Sequence, residues 1–301
     1  MIQMNLFPNF GIAEDERLYV IGNGFDIHHH IESKYSDFKK WVFKNMNSNL
    51  IRMMDIFFSN KRDFWYDIEN ALGDYTEEVI TDYCEPVCSN DFKYDHPGQW
   101  QAGVEDSIST IFGNVMSEFR DAFIEWVKSI DLNGIATDLF LPTTSKYLTF
   151  NYTETLEKCY NVPKSNVLHI HGCRLEDNCE LVIGHNNFRD AKYPLGDEHL
   201  LLPYQNANSE VIDIMNGWFK DAKKIITSNR MFFTGLTNCR AVCVMGLSYN
   251  DIDMPYLMEV AINVADDCKW WLYYYDNDDK GRAEKAAKVL KLRDCKLVQF
   301  E

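Results

Sequence analysis

The sequence predicts an α/β fold built on a mostly parallel sheet. Short, uninterrupted apolar runs recur along the chain, and such runs are typical of parallel strands that are buried on both faces. Stretches with helical periodicity separate most of these runs, as crossover helices separate parallel strands. A much longer helical stretch follows the first run. We therefore expect a Rossmann-type sheet with a large helical insertion after its first strand.

The strands can be placed from the apolar runs. The first is "LYVI" at residues 18–21, which stops at Gly22. Later strands are predicted at 146–150, 166–172, 180–185, 241–246, 270–275 and 296–300, with helices at 210–226, 254–265 and 279–291. We therefore assign an N-terminal extension to residues 1–16 and an α/β core to residues 17–30 and 145–301.

The helical insertion is predicted to cover residues 31–144. Apolar residues recur three or four positions apart in its second half and form one stripe on a long helix: Ile108, Ile111, Phe112, Val115, Phe119, Phe123 and Trp126. We interpret this stripe as a face that packs in a core, although it could also serve as a dimer seam.

The composition excludes several classes of protein. A chain of 301 residues with 46% apolar residues can bury a core, and its formal net charge of −16 would repel nucleic acid and anionic membranes. No apolar run approaches the length of a membrane span. The nine cysteines lack C-x-x-C spacing, and the N-terminus lacks the basic region of a signal peptide. We expect a cytoplasmic protein with reduced thiols and with neither nucleic acid nor membrane as a partner.

Polar residues and glycines follow the predicted strands at the points where the strands end. Parallel α/β sheets bind ligands at the carboxyl ends of their strands, so these residues are the first candidates for a site. They are "GNGFD" at 22–26, "NYTE" at 151–154, "HG" at 171–172, "GHNN" at 184–187, "GLSYNDID" at 246–253 and "DND" at 276–278. We expect them to form one shared polar pocket.

The "GNGFD" motif differs from the dinucleotide fingerprint G-x-G-x-x-G. Ile27 occupies the position of the third glycine, and no second strand ends in an acidic residue about twenty residues later. An ordinary dehydrogenase is therefore not expected. The turn could still bind phosphate or ribose through backbone N–H groups, or it could be a tight turn in which Asp26 caps the next helix. The motif alone leaves both interpretations open.

The motifs are long enough to compare with known families. "IGNGFDIHHHIESKYSDF" is similar to the pattern I-G-N-G-F-D-L-x-H-G-L-x-T-x-Y-x-D-F, with which the AbiH bacteriophage abortive-infection proteins begin. "FNYTETLE", "HIHG", "IGH" and "GLSYNDIDMPYL" resemble later motifs of that family. His29 matches the family's histidine, whereas His30 and Ser33 stand where glycine and threonine are usual. The resemblance implies a role in antiphage abortive infection.

A more distant resemblance follows the order of the NAD pocket in sirtuins. The matching residues are Gly22 to Asp26, Thr149 with Asn151, His171 with Gly172, Gly246 with Ser248, and Asn277. Thr153 stands where sirtuins have an aspartate that helps to hold the nicotinamide amide, and no C-x-x-C pair is present for a zinc module. The resemblance implies a sirtuin-like sheet that takes NAD as substrate or ligand, and hydrolysis of NAD rather than protein deacetylation.

The candidate site residues follow from these two resemblances and from the strand ends. We expect Asn151 and His171 to be catalytic. The residues expected to bind the nucleotide are Gly22, Asn23, Gly24, Phe25, Asp26, His29, Gly172, His185, Gly246, Ser248, Asp253 and Asn277. No metal is expected, because consecutive helix positions such as His28 to His30 cannot point at one ion.

The chemistry of NAD cleavage agrees with the choice of Asn151 and His171. The leaving nicotinamide is already cationic, so the reaction needs no acid but benefits from a base or dipole that positions water or a ribose hydroxyl. A histidine suits the role of base, and an asparagine amide can orient both groups. His169 lies on the same strand face as His171, but we interpret it as a buried partner of the backbone.

Two further classes of function remain open. The first is a non-catalytic nucleotide-binding sensor in a defence system, for which Thr153 is the supporting feature. The second is a nuclease-like toxin, supported only by Asp251 and Asp253 and opposed by the acidic charge. A phage-derived trigger and a homo-oligomer are also compatible with the sequence.

Overall fold

The computed structural model describes residues 4–5, 11–46, 48–59, 64–85, 95–174, 181–190 and 202–300. The chain divides into two compact units. The first comprises Met1–Lys34, Val127–Val182 and Asp221–Glu301, and the second comprises Tyr35–Trp126 and Ile183–Lys220. The segment 183–220 thus belongs to the second unit, whereas the sequence placed it in the core. The predicted domain boundaries stay a prediction.

The first unit contains the strands. In chain order they are β1 (Met4–Asn5), β2 (Arg17–Ile21), β3 (Leu139–Phe140), β4 (Lys146–Thr149), β5 (Val167–His169), β6 (Ala241–Met245), β7 (Lys269–Tyr274) and β8 (Asp294–Gln299). β1 pairs with β3 in a small parallel sheet. Among the described residues, the other six strands form one sheet in the order β5-β4-β2-β6-β7-β8, with every pair parallel. The predicted α/β class with a parallel sheet is confirmed.

The strand order places a topological switch point beside β2. Numbered along the chain, the six strands follow the order 3-2-1-4-5-6 that is typical of Rossmann folds. From β2 the chain first proceeds outward through β4 and β5, and it then returns to the other side of β2 to form β6. Ligands of such sheets bind outside the carboxyl ends of the strands at this point.

β2 is buried on both faces, which explains its uninterrupted apolar run. Leu18 and Val20 belong to one core cluster and Tyr19 and Ile21 to another, because successive side chains of a strand point to opposite faces. In register, Tyr19 lies between Tyr147 of β4 and Cys243 of β6.

Helices of the first unit alternate with these strands. They are Asn23–His28, Thr155–Tyr160, Ala222–Ser228, Arg230–Thr234, Met254–Asn263 and Asn277–Val289, with short 3-10 helices at Glu14–Glu16 and Lys164–Asn166. The helices predicted at 254–265 and 279–291 are confirmed. The helix predicted at 210–226 is wrong as one element, because Leu202–Asn216 ends before Gly217 and a new helix starts at Ala222, where Asp221 caps it.

Helices also make up the second unit. Those that lie in it or end next to it are Tyr35–Asn45, Ser48–Phe57, Ile68–Gly73, Glu77–Cys84, Pro97–Ser107, a π-helical segment Ile108–Gly113, Asn114–Ser129 and Leu202–Asn216. The predicted core-packing face is confirmed, since every member of the stripe except the half-buried Ile111 is buried. Phe38 packs its ring against the rings of Phe119, Phe123 and Trp126, at centroid distances of 5.1–5.5 Å.

One predicted strand is wrong. Residues 181–184 of the run predicted at 180–185 form no strand, and residue 180 lies outside the described residues. His185 makes only an isolated parallel bridge with Phe219. The apolar side chains Leu181 and Ile183 are buried without sheet pairing, so an apolar run indicated burial but not a strand. None of the described helices combines the length and apolar character needed to cross a membrane.

Candidate functional site

The glycines at the switch point bring two backbone segments into contact. Gly22 N donates to Met245 O at 2.9 Å, and Gly24 N donates to Gly246 O at 2.8 Å. A Cβ on Gly22 would lie 2.5 Å from Gly246 O, and one on Gly246 would lie 2.3 Å from Phe25 N. Gly246 also has a φ of +64°, which favours glycine. The three glycines are therefore required by the close packing of the turn after β2 against the turn after β6.

This packing uses several of the amides that could have bound an anion. Gly22 is the N-cap of the helix Asn23–His28, and Phe25 N donates to Gly22 O at 3.0 Å. The Asn23 side chain donates to Ser33 O at 2.9 Å. The N–H groups of Gly22, Gly24 and Phe25 thus bond within the protein, and the ring of Phe25 is buried.

Asp26 is the centre of a buried cluster of polar side chains. Its side chain is 1% exposed and accepts hydrogen bonds from Thr153 Oγ1 at 2.5 Å and from Thr155 Oγ1 at 2.9 Å. The side-chain amide of Asn151 is also close enough to this carboxyl group to lower its pKa. Asp26 is not the cap of its helix, because it lies inside the helix and Gly22 occupies the N-cap position. It bonds hydroxyl groups, but these belong to the turn after β4.

Burial controls the ionisation of Asp26. Removal of the carboxyl group from water raises its pKa to about 6, although the bonds from Thr153, Thr155 and Asn151 and the charge of Arg174 act in the opposite direction. A buried carboxyl group that titrates close to neutral pH is common at functional sites.

Asn151 lies at the carboxyl end of β4 and is 6% exposed. Its backbone N–H donates to Thr149 Oγ1 at 3.1 Å, and its carbonyl accepts from the ring of His169 at 3.0 Å. Within the part of the chain that the structure describes, the Oδ1 atom of its side chain has no hydrogen-bond partner. Buried polar atoms are rarely left in this state, so Oδ1 is a candidate acceptor for a ligand or water.

The two histidines of the "HIHG" motif have different surroundings. The His171 ring is 4% exposed and packs edge-to-face against Phe150 and Tyr256, at centroid distances of 5.2 and 5.5 Å. His169 bonds Asn151 O through Nδ1 and Glu157 Oε1 through Nε2, at 3.0 and 2.9 Å. Both partners are acceptors, so both ring nitrogens carry a proton. Burial opposes this charge, but Cys173 and Glu157 outweigh it and raise the pKa of His169 to about 10.

His29 is also enclosed by protein groups. Nδ1 lies 2.7 Å from Phe25 O and therefore donates, which leaves Nε2 to accept from the Tyr160 hydroxyl at 2.5 Å. Burial lowers the pKa of His29. This geometry is that of a neutral histidine that fixes the end of its helix.

The remaining candidates of the first unit lie along the same edge of the sheet. Gly172 follows β5 with a φ of +87°, and the carbonyl of Ser248 accepts from Arg282 Nε at 3.0 Å. Asp253 is buried at the N-cap position of Met254–Asn263, and Asn277 is exposed at the start of Asn277–Val289. The parallel sheet therefore gathers the strand-end residues at one edge, but direct contacts join only some of them.

A family model described as "Bacteriophage abortive infection AbiH" matches residues 18–275. The chain belongs to the AbiH family. No curated protein and no solved structure matches it. The match extends from the "LYVI" strand and the "GNGFD" turn to just beyond the end of β7, so every candidate site residue of this AbiH chain except Asn277 lies within the matched region.

His185 belongs to the second unit of the AbiH chain. Its Nε2 donates to Met215 O at 2.9 Å, and its Nδ1 accepts from Asn187 N at 3.2 Å. Burial lowers the pKa of this ring, which agrees with a neutral side chain. Gly184, beside it, would place a Cβ 1.9 Å from Trp218 O. The "IGH" motif thus supports close packing inside its own unit.

A buried ion pair stands next to the Asp26 cluster in sequence. Arg174 donates to both carboxylate oxygens of Glu154 at 2.7 and 2.9 Å, and also to the carbonyls of Val127 and Ile130. Lys158 adds a bond of 2.5 Å to Glu154. Burial alone would raise the pKa of Glu154, but the bonds from Arg174 and Lys158 lower it to about 2. The pair ties the turn after β4 to the segment at 127–130.

The AbiH chain has an open cleft of about 760 Å³ beside this ion pair. Lys128, Lys158, Arg174 and the loop at 130–135 contribute to its lining, but none of the predicted site residues does. The guanidinium of Arg174 is already occupied by Glu154 and by backbone carbonyls, so it is not available to an anion in this cleft. We therefore locate the candidate site at the switch point of the sheet.

The sequence-based candidates omitted several residues that the structure brings to this site. Thr153 and Thr155 bond Asp26, and Glu154 between them bonds Arg174. Tyr249 is buried with a φ of +54°, and its hydroxyl donates to Tyr273 O at 2.9 Å. A bulky residue in this conformation is strained, and such residues cluster at functional sites. The alternation of polar residues in "NYTET" was the one local signal for the threonines.

Proposed function

We propose that this AbiH-family protein acts in defence against bacteriophage by hydrolysing NAD at the bond between nicotinamide and ribose. The family supports the defence role. The observation that carries the enzymatic role is the buried Oδ1 of Asn151, which has no partner among the described residues and lies at the carboxyl edge of a sheet with Rossmann order. An acceptor at that place suits a ribose hydroxyl or the attacking water.

His171 and Asn151 have separate tasks in this mechanism. The His171 imidazole takes the proton of the attacking water or of a ribose hydroxyl, and Asn151 orients these groups. The departing nicotinamide needs no proton, because it leaves as a neutral group from a cationic substrate. The surrounding aromatic rings of Phe150 and Tyr256 exclude bulk water. The "GNGFD" turn lies at the same carboxyl edge of the sheet, beside the bound dinucleotide, with the N–H groups of Gly22, Gly24 and Phe25 already bonded within the protein.

Thr153 stands where the sirtuin motif has an aspartate, and the structure places another carboxyl group next to it. Where the sirtuin resemblance expects an aspartate, the Thr153 hydroxyl lies 2.5 Å from the carboxyl group of Asp26. The carboxyl group of Asp26, from the helix after β2, is thus close to that position, but it is enclosed and bonds Thr153 and Thr155 rather than a ligand. A sirtuin-like arrangement of the pocket remains part of the proposal.

Release of nicotinamide tests the proposal. Wild-type protein, in infected cells or with phage lysate as trigger, should release nicotinamide from NAD. His171→Ala and Asn151→Ala should each lower the rate by about 10²–10⁴-fold. Gly281→Ala is a suitable control, because nothing lies within 4 Å of the Cβ it adds. Wild-type protein that blocks phage while NAD stays intact would refute hydrolysis.

A nucleotide sensor is the second candidate, favoured by the burial of both proposed catalytic groups. His171 is 4% and Asn151 6% exposed, which suits a ligand that is bound and held. Calorimetric titration separates the two functions, since a sensor binds NAD or a related nucleotide without releasing nicotinamide.

A further inference from the structure

The two polar atoms of the Asn151 side-chain amide have different surroundings. Its side-chain amide is close enough to Asp26 to lower the pKa of that carboxyl group, while its Oδ1 is buried and, as far as the described residues extend, has no partner. The backbone of Asn151 cannot turn to relieve this, since its N–H bonds Thr149 Oγ1 and its carbonyl accepts from His169. The Oδ1 atom of Asn151 is therefore a buried acceptor that can receive a hydrogen bond from a ligand.

The carboxylate of Asp26 determines the orientation of the Asn151 side-chain amide. An ionised carboxylate only accepts hydrogen bonds, so the amide must turn its NH₂ group toward Asp26 and its oxygen away. The hydroxyls of Thr153 and Thr155 hold the two oxygens of Asp26 at 2.5 and 2.9 Å, and they fix the plane of the carboxylate. Asp26 itself is enclosed and is not placed to touch a ligand.

We propose that Asp26 is a positioning residue, which orients the Asn151 amide so that Oδ1 is presented as the acceptor for a ribose hydroxyl of the bound dinucleotide. The identity of the ligand rests on the proposed function, whereas the orientation of Asn151 by Asp26 does not. In this mechanism the "GNGFD" motif contributes its aspartate through Asn151 rather than through a contact with NAD.

The first arm of the test observes the amide directly. The side-chain NH₂ resonances of Asn151, assigned by their loss in Asn151→Ala, should move in Asp26→Asn. They should stay in place in Thr81→Val, a control that removes another buried hydroxyl, which donates to Asn208. Resonances that are unchanged in Asp26→Asn would overturn the positioning role. If that variant does not fold, the ¹³C titration of the Asp26 carboxyl group replaces it: its midpoint should rise in Asn151→Ala, and an unchanged midpoint overturns the proposal.

The second arm identifies the ligand group that donates a hydrogen bond to the Oδ1 atom of Asn151. Asp26→Asn and Asn151→Ala should each weaken the binding of NAD about tenfold, the value of one hydrogen bond. Neither should weaken the binding of an NAD analogue that lacks the hydroxyl concerned, with the 2′-deoxy and 3′-deoxy forms of the nicotinamide ribose as probes. Equal losses for NAD and for both analogues would overturn the assignment of Oδ1 to a ribose hydroxyl. If wild-type protein binds no NAD, the proposed function fails, and the resonance arm alone decides the role of Asp26.

Discussion

The hydroxyl of Thr153 donates a hydrogen bond of 2.5 Å to Asp26, from which it is separated by 127 positions in the sequence. The bond joins the helix after β2 to the turn after β4, and both side chains are buried. Because the pKa of Asp26 is raised by burial to about 6, the stability of the protein is linked to the protonation of this cluster.

Asp26→Asn should remove a pH dependence of the unfolding free energy. The folded protein keeps the Asp26 proton up to about pH 6, whereas the unfolded chain releases it near the ordinary pKa of 3.8. The stabilisation by this group is therefore complete below pH 3.8 and is lost as the pH rises to about 6, an amount of about 3 kcal/mol. Urea unfolding should show the wild type losing that amount relative to the variant. Parallel curves for the two proteins would mean that Asp26 titrates normally.

Arg174→Ala should destabilise the first unit strongly. The substitution leaves the carboxylate of Glu154, which is 1% exposed, without its bidentate partner, and such losses cost about 3–5 kcal/mol. Lys158→Ala serves as the matched control, because that lysine is 52% exposed and its pair with the same carboxylate should contribute less than about 1 kcal/mol. Adding Glu154→Gln to Arg174→Ala should recover part of the loss. Similar midpoints in urea for Arg174→Ala and Lys158→Ala would contradict a structural role for the pair.

Gly22→Ala and Gly281→Ala should have opposite effects on stability. The new Cβ at position 22 would lie 2.5 Å from Gly246 O, so the turns after β2 and β6 must separate, at a cost of about 1–3 kcal/mol. Gly281 lies inside the helix Asn277–Val289 with nothing within 4 Å, and alanine there should stabilise by about 1 kcal/mol. Thermal unfolding of the two variants measures both effects. A tolerated Gly22→Ala would show that the turns can move apart.

His169→Ala should lower stability more than it lowers turnover. The charged ring bonds Asn151 O and Glu157, and removing one partner of such a buried pair costs about 3 kcal/mol. Because the pKa of His169 is raised to about 10, its stabilisation is complete below the ordinary 6.5 and is lost as the pH rises through 10. The stability difference between wild type and variant should therefore shrink from pH 7 to pH 10. A difference that does not change over this range would show that the ring is neutral.

Local sequence patterns were sufficient to predict the six strands of the large sheet, but not their order. The run "LYVI" predicted a strand buried on both faces, and the structure has it as β2 with Leu18 and Tyr19 in different core clusters. The same reasoning failed at 181–184, because residues such as Ile183 are buried there by packing without sheet pairing. A short apolar run indicates that its residues are buried. Whether these residues also pair in a sheet depends on the strands beside them.

The sequence by itself determined the family of this protein, its parallel α/β class and the residues that end its strands, since these depend on short-range patterns of apolar side chains, glycines and motifs. Only the tertiary structure decided which of those residues meet. It joined Asp26 to Thr153 and Thr155, gave His29, His169 and His185 partners within the protein, and left the Oδ1 of Asn151 without a partner in the described parts of the chain. The physical reason is that hydrogen-bond partners and burial depend on tertiary contacts, which for these bonds join residues 12 to 131 positions apart, and such contacts leave no periodic trace in the local sequence.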